Sequence, residues 1–340
     1  MVVNPTRYIS RHRTELMALA IIGVLCSHSK IHFGWLPADR LMLFGQAGVD
    51  IFFFVSGFGL FYSALRKPKL GAFYLRRLLR LLPAFLIVLL LRLWDMNQLT
   101  WENYLKQASM LGFWFPSLKW KDFAWFVAAI LPLYLLFPLY FKFFRRHPEW
   151  AKAFGILAGL LLTAWYAYDC LYLHVGKTNT QILFFSRIPI FTVGCYFAYL
   201  SMCRLRFGHR FFVTAILLGV LALCSLYVGL DYAGWPQMRQ NGLFFLAFLP
   251  IVPAFCMTAG YLMEYVPPKA LQPLKWIGVC TLESYLLMGT FARHQGELAR
   301  AIGLSKDASI IVLFCLCILL AYLLHRILDV ATKRILRACS

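Results

Sequence analysis

Val49-Asp50-Ile51-Phe52-Phe53-Phe54-Val55-Ser56-Gly57-Phe58-Gly59-Leu60-Phe61-Tyr62-Ser63-Ala64-Leu65 is nearly continuous hydrocarbon with one carboxylate, and Arg66, Lys67 and Lys69 follow it at once. A helix needs about 20 mostly apolar residues to cross a bilayer, and with its flanks this run reaches that length. The chain then passes Arg76, Arg77 and Arg80 and turns greasy again over residues 78–93. The two runs therefore read as a helical hairpin with a cationic closed end. Working outward, comparable blocks cover residues 16–25, 123–144, 154–173, 182–202, 211–230, 243–263, 276–291 and 310–327. The pattern predicts an all-α, polytopic membrane helical bundle of about ten transmembrane helices. Arg92, near the end of the third block, and Glu283, inside the ninth, make those two the most polar.

Composition agrees. Hydrophobic residues make up 61% of the chain and charged residues 14%, against roughly 45–50% and about 25% in soluble domains. A water-facing surface cannot absorb that excess. The net charge of +20 raises nucleic acid as a partner, but the placement of the cations excludes it. They collect at alternate ends of the blocks: Arg7, Arg11 and Arg13; the hairpin cluster; Lys142, Arg145 and Arg146; Arg204, Arg206 and Arg210; Lys269 and Lys275; Lys333, Arg334 and Arg337. This is the positive-inside pattern, and an even span count puts both termini in the cytoplasm. No small-residue cleavage site follows the first block, where Lys30, His32 and Trp35 come next, so the first span is expected to be retained. No linker or repeat divides residues 1–340, which read as a single membrane-embedded domain. The ten cysteines contain no CxxC pair and read as buried membrane thiols.

Ionisable groups inside spans are costly and default to functional candidates. His28 lies about twelve residues into the first span, roughly 18 Å above its inner end. Asp50 starts the second span from the outer side, so the two are expected to face each other at similar depth. An imidazole accepts protons near neutral pH and a carboxylate can fix its tautomer; an interfacial helix histidine is the other reading. His28 and His32 share a helical face, but no third metal ligand is evident, so no metal is expected. Glu15 belongs at the inner mouth, about 20 Å from His28. Arg76, Arg77 and Arg80 share a face and suit phosphate recognition or lipid headgroups. Arg187 is either an interfacial snorkeller or a buried partner for Asp50 or Glu283. Glu283 needs a partner of its own. The aromatic loop from Asp95 to Asp122, with Trp101, Tyr104, Phe113, Trp114, Phe115 and Trp120, reads as an interfacial belt or as a lid or platform for a sugar.

Taken in order, these segments resemble a known family. The run from Thr14-Glu15-Leu16-Met17 to Cys26-Ser27-His28-Ser29 resembles the first span of the acyltransferase-3 family of integral membrane O-acyltransferases. Gly48-Val49-Asp50-Ile51-Phe52-Phe53-Phe54-Val55-Ser56-Gly57-Phe58 is similar to its second-span signature. Phe73-Tyr74-Leu75-Arg76-Arg77-Leu78-Leu79-Arg80-Leu81-Leu82-Pro83 is similar to its basic motif. Fainter likenesses are Trp125-Phe126 with Leu135-Leu136-Phe137-Pro138, Ser186-Arg187-Ile188-Pro189, and Thr281-Leu282-Glu283-Ser284-Tyr285-Leu286-Leu287.

The resemblance implies an acyl-CoA donor, commonly acetyl-CoA, taken from the cytoplasm. It implies transfer to a hydroxyl of an extracytoplasmic or lipid-linked sugar or polysaccharide, in a bacterial inner membrane. It implies that His28 is catalytic, with Asp50 beside it, and that Arg76, Arg77 and Arg80 bind the donor. Glu15, Trp125, Arg187, Glu283 and Tyr285 become substrate or channel candidates. Two positions depart from the pattern. Met17 stands where many members carry arginine, eleven residues before the histidine and on the same face; Arg11 or Arg13 could serve from lower down. Met288 stands where the ninth-span motif often ends in histidine. Two rival functions use the same buried charges: a transporter or exporter, which calls for repeats or broken helices near the midplane, and a non-catalytic assembly partner for surface glycans.

Overall fold

A computed structural model describes residues 5–29, 35, 38–39, 42, 44–66, 69–118, 124–169, 172, 180–203, 209–229 and 243–338. Lys30, His32, Lys67, Trp120, Asp122, Arg204 and Arg206 lie outside the described residues. The described residues are helical, with no strand among them. In chain order the helices are α1 (Pro5–Arg11), α2 (Arg13–Ser29), α3 (Ala47–Leu65), α4 (Leu70–Asp95), α5 (Trp101–Ala108), α6 (Trp125–Arg146), α7 (Pro148–Tyr168), α8 (Ile188–Met202), α9 (His209–Gly229), α10 (Phe248–Met263), α11 (Gln272–Val279), α12 (Thr281–Phe291), α13 (Gln295–Ile302) and α14 (Lys306–Ala338). Short helical turns precede α3, α6, α8, α10 and α13.

Among the described residues, seven helical stretches are long and apolar enough to cross a membrane: Phe44–Leu65, Trp125–Arg146, Pro148–Tyr168, Ile182–Met202, Arg210–Gly229, Phe244–Met263 and Asp307–Ala338. The other three expected spans differ for visible reasons. Helix α2 has 17 residues. Helix α4 has 26 but carries Arg76, Arg77, Arg80 and Arg92 along its length. The ninth block is broken at Cys280 into α11 and α12.

The centre of the bundle is α2, α3 and α8. Two thirds of the Phe44–Leu65 and Ile182–Met202 windows are buried (67% each), against 11% for Arg210–Gly229, which therefore stands at the periphery. Glycines set the central register. Gly45 lies against Gly23 and Ser27, Gly48 against Ala20 and Val24, and Gly59 against Arg13, so α2 and α3 run antiparallel. Gly57 lies against Phe191 and Gly194 against Phe54 at the crossing, and contacts advance together from Asp50–Arg187 to Phe61–Tyr199, so α3 and α8 run parallel. A Cβ at Gly57 or Gly194 would overlap a facing backbone carbonyl, which fixes glycine at both positions. Helix α12 packs on α2, α4 and α14.

Candidate active site

His28 sits in the last turn of α2 and is exposed. Its Nδ1 lies 3.1 Å from the Val24 carbonyl oxygen and 3.0 Å from Ser27 Oγ. A carbonyl can only accept, so this contact is a hydrogen bond only when Nδ1 carries the proton. The neutral ring then has its lone pair on Nε2, the form a general base requires. Ser27 Oγ itself donates to the Val24 carbonyl at 2.8 Å, which leaves its oxygen able to accept from Nδ1–H. In that tautomer the Nδ1–H bond goes to the helix backbone.

Asp50 does other work. Gly48 faces Ala20, so Asp50 is level with the α2 turn around Ala20, and His28 lies about 12 Å farther out along the axis. The expected common depth is not observed, because α3 begins further out, with a helical turn at Phe44–Gln46 ahead of it. Asp50 Oδ1 instead stands 3.4 Å from Arg187 Nε, and both residues are 1% exposed. Of the alternatives open for Arg187, the structure selects the buried partner of Asp50. The guanidinium also donates to Ser186 Oγ at 3.0 Å and to the Leu183 carbonyl at 3.3 Å. Its carbon lies 3.5 Å from the Phe245 ring centroid and 5.6 Å from that of Trp125. Aromatic faces supply part of the solvation that water would otherwise give a cation. Trp125 therefore flanks the ion pair.

Toward the opposite end of α2 lies a cavity of about 530 Å³, lined among others by Arg13, Met17, Arg66, Arg77, Arg80, Tyr134 and His325. All four arginines on its wall come from segments where the sequence placed cytoplasmic charge. The three clustered arginines divide. Arg77 and Arg80 face this cavity, Arg77 with its guanidinium carbon 5.6 Å from the Phe73 ring centroid and 6.0 Å from that of Tyr134. Arg76 faces a neighbouring groove with Ser63, Arg66 and Lys69. Gly59 makes room for the Arg13 guanidinium. Arg13 is one turn below Met17, so a cation from the same helix stands in the cavity although Met17 itself is neutral.

A slot of about 80 Å³ continues from this cavity. Met17, Ser56, Arg80 and Tyr134 line both. The slot runs between Phe52, Phe126, Leu282 and Tyr285 to Val49 and Val24, and Val24 is the residue whose carbonyl holds His28. Tyr285 is thus a wall residue, 6.1 Å from Phe126 between ring centroids.

The remaining candidates form two charged groups. Glu283 Oε1 accepts from Arg80 Nη1 at 3.1 Å and lies 3.0 Å from His325 Nδ1. Arg80 Nη2 donates to the Val279 carbonyl at 2.8 Å, an acceptor released by the helix break at Cys280. Glu15 lies 3.3 Å from His12 Nδ1 and 3.9 Å from Lys275 Nζ. His12 Nε2 in turn reaches Glu264 at 3.1 Å, and Arg11 donates to Glu264 at 2.6 Å. Arg11 is thereby turned away from the cavity, leaving Arg13 as the cation near Met17. Met288 is buried in apolar packing. Sequence reasoning missed His325, His12 and Tyr134. His325 carried a usable signal, an imidazole inside the apolar 310–327 run. Among the described residues, no group of three His, Cys, Asp or Glu side chains is placed to hold a metal ion.

Comparison with known proteins adds to this geometry. Residues 16–326 match the family Acyl_transf_3, an acyltransferase domain. The chain is also similar to acyltransferase MdmB of Streptomyces mycarofaciens, with 26% identity over 133 residues, 34% of this chain and 34% of that protein. The matched stretch thus spans about a third of that relative's length. No solved structure matches.

Proposed function

This chain belongs to the acyltransferase family Acyl_transf_3, and from that premise we propose an acyl-CoA-dependent membrane O-acyltransferase. It moves an acyl group, acetyl in the simplest case, to a hydroxyl of an extracytoplasmic or lipid-linked sugar or polysaccharide. The reading takes α2, α4 and the α11–α12 pair as membrane-crossing with the seven longer segments, which gives ten spans with both termini in the cytoplasm of a bacterial inner membrane.

The observation that carries the reading is the continuity from the arginine-lined cavity, through the apolar slot, to Val24 and His28. Arg13, Arg77 and Arg80 hold the phosphates of coenzyme A, with Arg66 and Arg76 at the rim. The pantetheine arm enters the slot, whose present width requires Phe52, Phe126 and Tyr285 to rotate aside. From Met17 to His28 the helix rises about 16 Å, a distance an extended pantetheine arm can span. His28 Nε2 takes the proton of the acceptor hydroxyl as its oxygen attacks the thioester carbonyl. The tetrahedral intermediate collapses with loss of the coenzyme A thiolate, and the imidazolium returns the proton to that sulfur. Asp50 serves by position. Paired with Arg187, it fixes α3 against α8 and so sets the slot wall at Val49 and Phe52.

The test is release of coenzyme A thiol from acetyl-CoA by purified protein with pooled envelope glycans, comparing wild type with His28→Ala. Release that disappears in the variant supports the proposal. Equal release from both removes His28 from the mechanism. No release from either shifts the reading to a transporter or a non-catalytic partner.

A further inference from the structure

His325 lies on α14, outside every segment assigned a role above, and its ring borders the large cavity. Its Nδ1 is 3.0 Å from Arg80 Nη1 and 3.0 Å from Glu283 Oε1, while Arg80 Nη1 and Glu283 Oε1 are 3.1 Å apart. The three atoms form a triangle of hydrogen-bonding distances. A guanidinium can only donate and a carboxylate only accept, so Nδ1 cannot satisfy both neighbours in one protonation state. The carboxylate sets the direction: Nδ1–H donates to Glu283 Oε1, which also accepts from Arg80 Nη1. Nη2 meanwhile donates to the Val279 carbonyl. In that state α4 presents a guanidinium held through Glu283 of α12, itself bonded from α14, and through the end of α11, with its remaining donors left for the cavity.

We propose that His325 is a positioning residue for donor binding: by donating Nδ1–H to Glu283 Oε1 it fixes the carboxylate that sets the plane in which Arg80 meets the donor phosphates. The inference rests on the donor reading above and adds a residue to it. Without His325 the Glu283 carboxylate can rotate about its side-chain bonds, and Arg80 keeps the Val279 carbonyl as its backbone-fixed acceptor. His325 holds the Glu283 oxygen to which Arg80 Nη1 donates and removes that freedom. Planar, bidentate recognition of phosphate depends on such preorganisation.

The experiment uses the full-length protein in nanodiscs and measures coenzyme A binding by calorimetry, together with KM and kcat for acetyl-CoA. The variants are His325→Leu, which fills the space without a donor, and His325→Asn, whose Nδ2–H falls near the position of Nδ1–H. His325→Leu is expected to weaken coenzyme A binding and raise KM by about tenfold, with kcat within about twofold. His325→Asn is expected to recover most of the loss. Asparagine no better than leucine, or wild-type affinity in the leucine variant, overturns the inference while leaving the donor reading intact. Wild-type protein that fails to bind coenzyme A overturns both. A loss confined to kcat or to ligand-free thermal stability, with affinity unchanged, assigns His325 a purely structural role and also overturns it.

Discussion

Removing one member of the Asp50–Arg187 pair should cost far more than removing both charges. The two groups stand 3.4 Å apart and fully buried, a separation worth about 5 kcal/mol of attraction at an effective dielectric of about 20. Arg187→Met keeps the length of the side chain and its contact with Phe245 but strands a carboxylate inside the bundle. Asp50→Asn keeps the shape and strands a guanidinium. Each single change is expected to destabilise by about 3–5 kcal/mol, the range for a buried pair broken on one side. The double variant, with no charge left unpaired, should recover at least about 2 kcal/mol relative to the sum of the singles. The assay is a double-mutant cycle on unfolding by sodium dodecyl sulfate in mixed micelles, followed by tryptophan fluorescence. Trp125 lies 5.6 Å from the guanidinium carbon and reports on the site. Single-variant costs that add in the double variant to within about 0.5 kcal/mol would mean no coupling, and would refute the pairing as the bond between α3 and α8.

Arg13→Gln should weaken coenzyme A affinity about tenfold, whereas Arg76→Gln, outside the main cavity, should change it less than about twofold; calorimetry on both decides whether the arginines act as divided here. Gly194→Ala should destabilise the protein by more than about 2 kcal/mol, because its methyl group meets the Phe54 carbonyl; the same micelle titration measures it. Outside the spans, His294 bonds Glu297 and Asp95, in that order of effect, and its pKa is raised. Partial burial pushes the Asp95 carboxyl upward, but its bonds to His294 and Arg293 outweigh that and hold it below the usual carboxylate range. A raised histidine stabilises fully below its unfolded value near 6.5 and loses that contribution as pH climbs through the folded one. A depressed carboxylate stabilises above about 3.9 and loses that as pH falls through its folded value. The clasp between α4 and α13 should therefore be tightest between about pH 4 and 6.5, with hydrogen exchange in Gln295–Ile302 rising at alkaline pH and His294→Gln flattening the alkaline change.

Much of the bundle was legible because a bilayer allows few solutions: long apolar runs must be helices, and their cationic ends mark one side. The run from Val49 to Leu65 proved to be a central helix, and the arginines around it came together at one end. Pairing was harder to read. Asp50 was matched to His28 by counting residues from the ends of two spans, but the register is set by Gly45 and Gly48 against α2, and glycine carries no periodic signal of its partner. Arg187 had two candidate carboxylates and sequence could not choose between them. Glu283 visibly needed a partner, yet its partners come from α4 and α14, residues 80 and 325, far apart in the chain. The break at Cys280, which releases the Val279 carbonyl to Arg80, falls inside an apolar block with nothing in its hydropathy to mark it.

The glycine contacts of α2, α3 and α8 also decide where this molecule is stiff. A side chain can rotate out of the way of a sliding neighbour; a carbonyl seated on a bare α-carbon cannot. Ala20 on Gly48, Phe54 on Gly194 and Phe191 on Gly57 thus lock three helices into one inextensible block. Any breathing that widens the slot must come from its other wall, where Phe126 of α6 and Leu282 and Tyr285 of α12 stand on long, rotatable bonds. The bundle is mechanically two-sided: an anvil that keeps α2 in register, and a compliant face that can widen the slot.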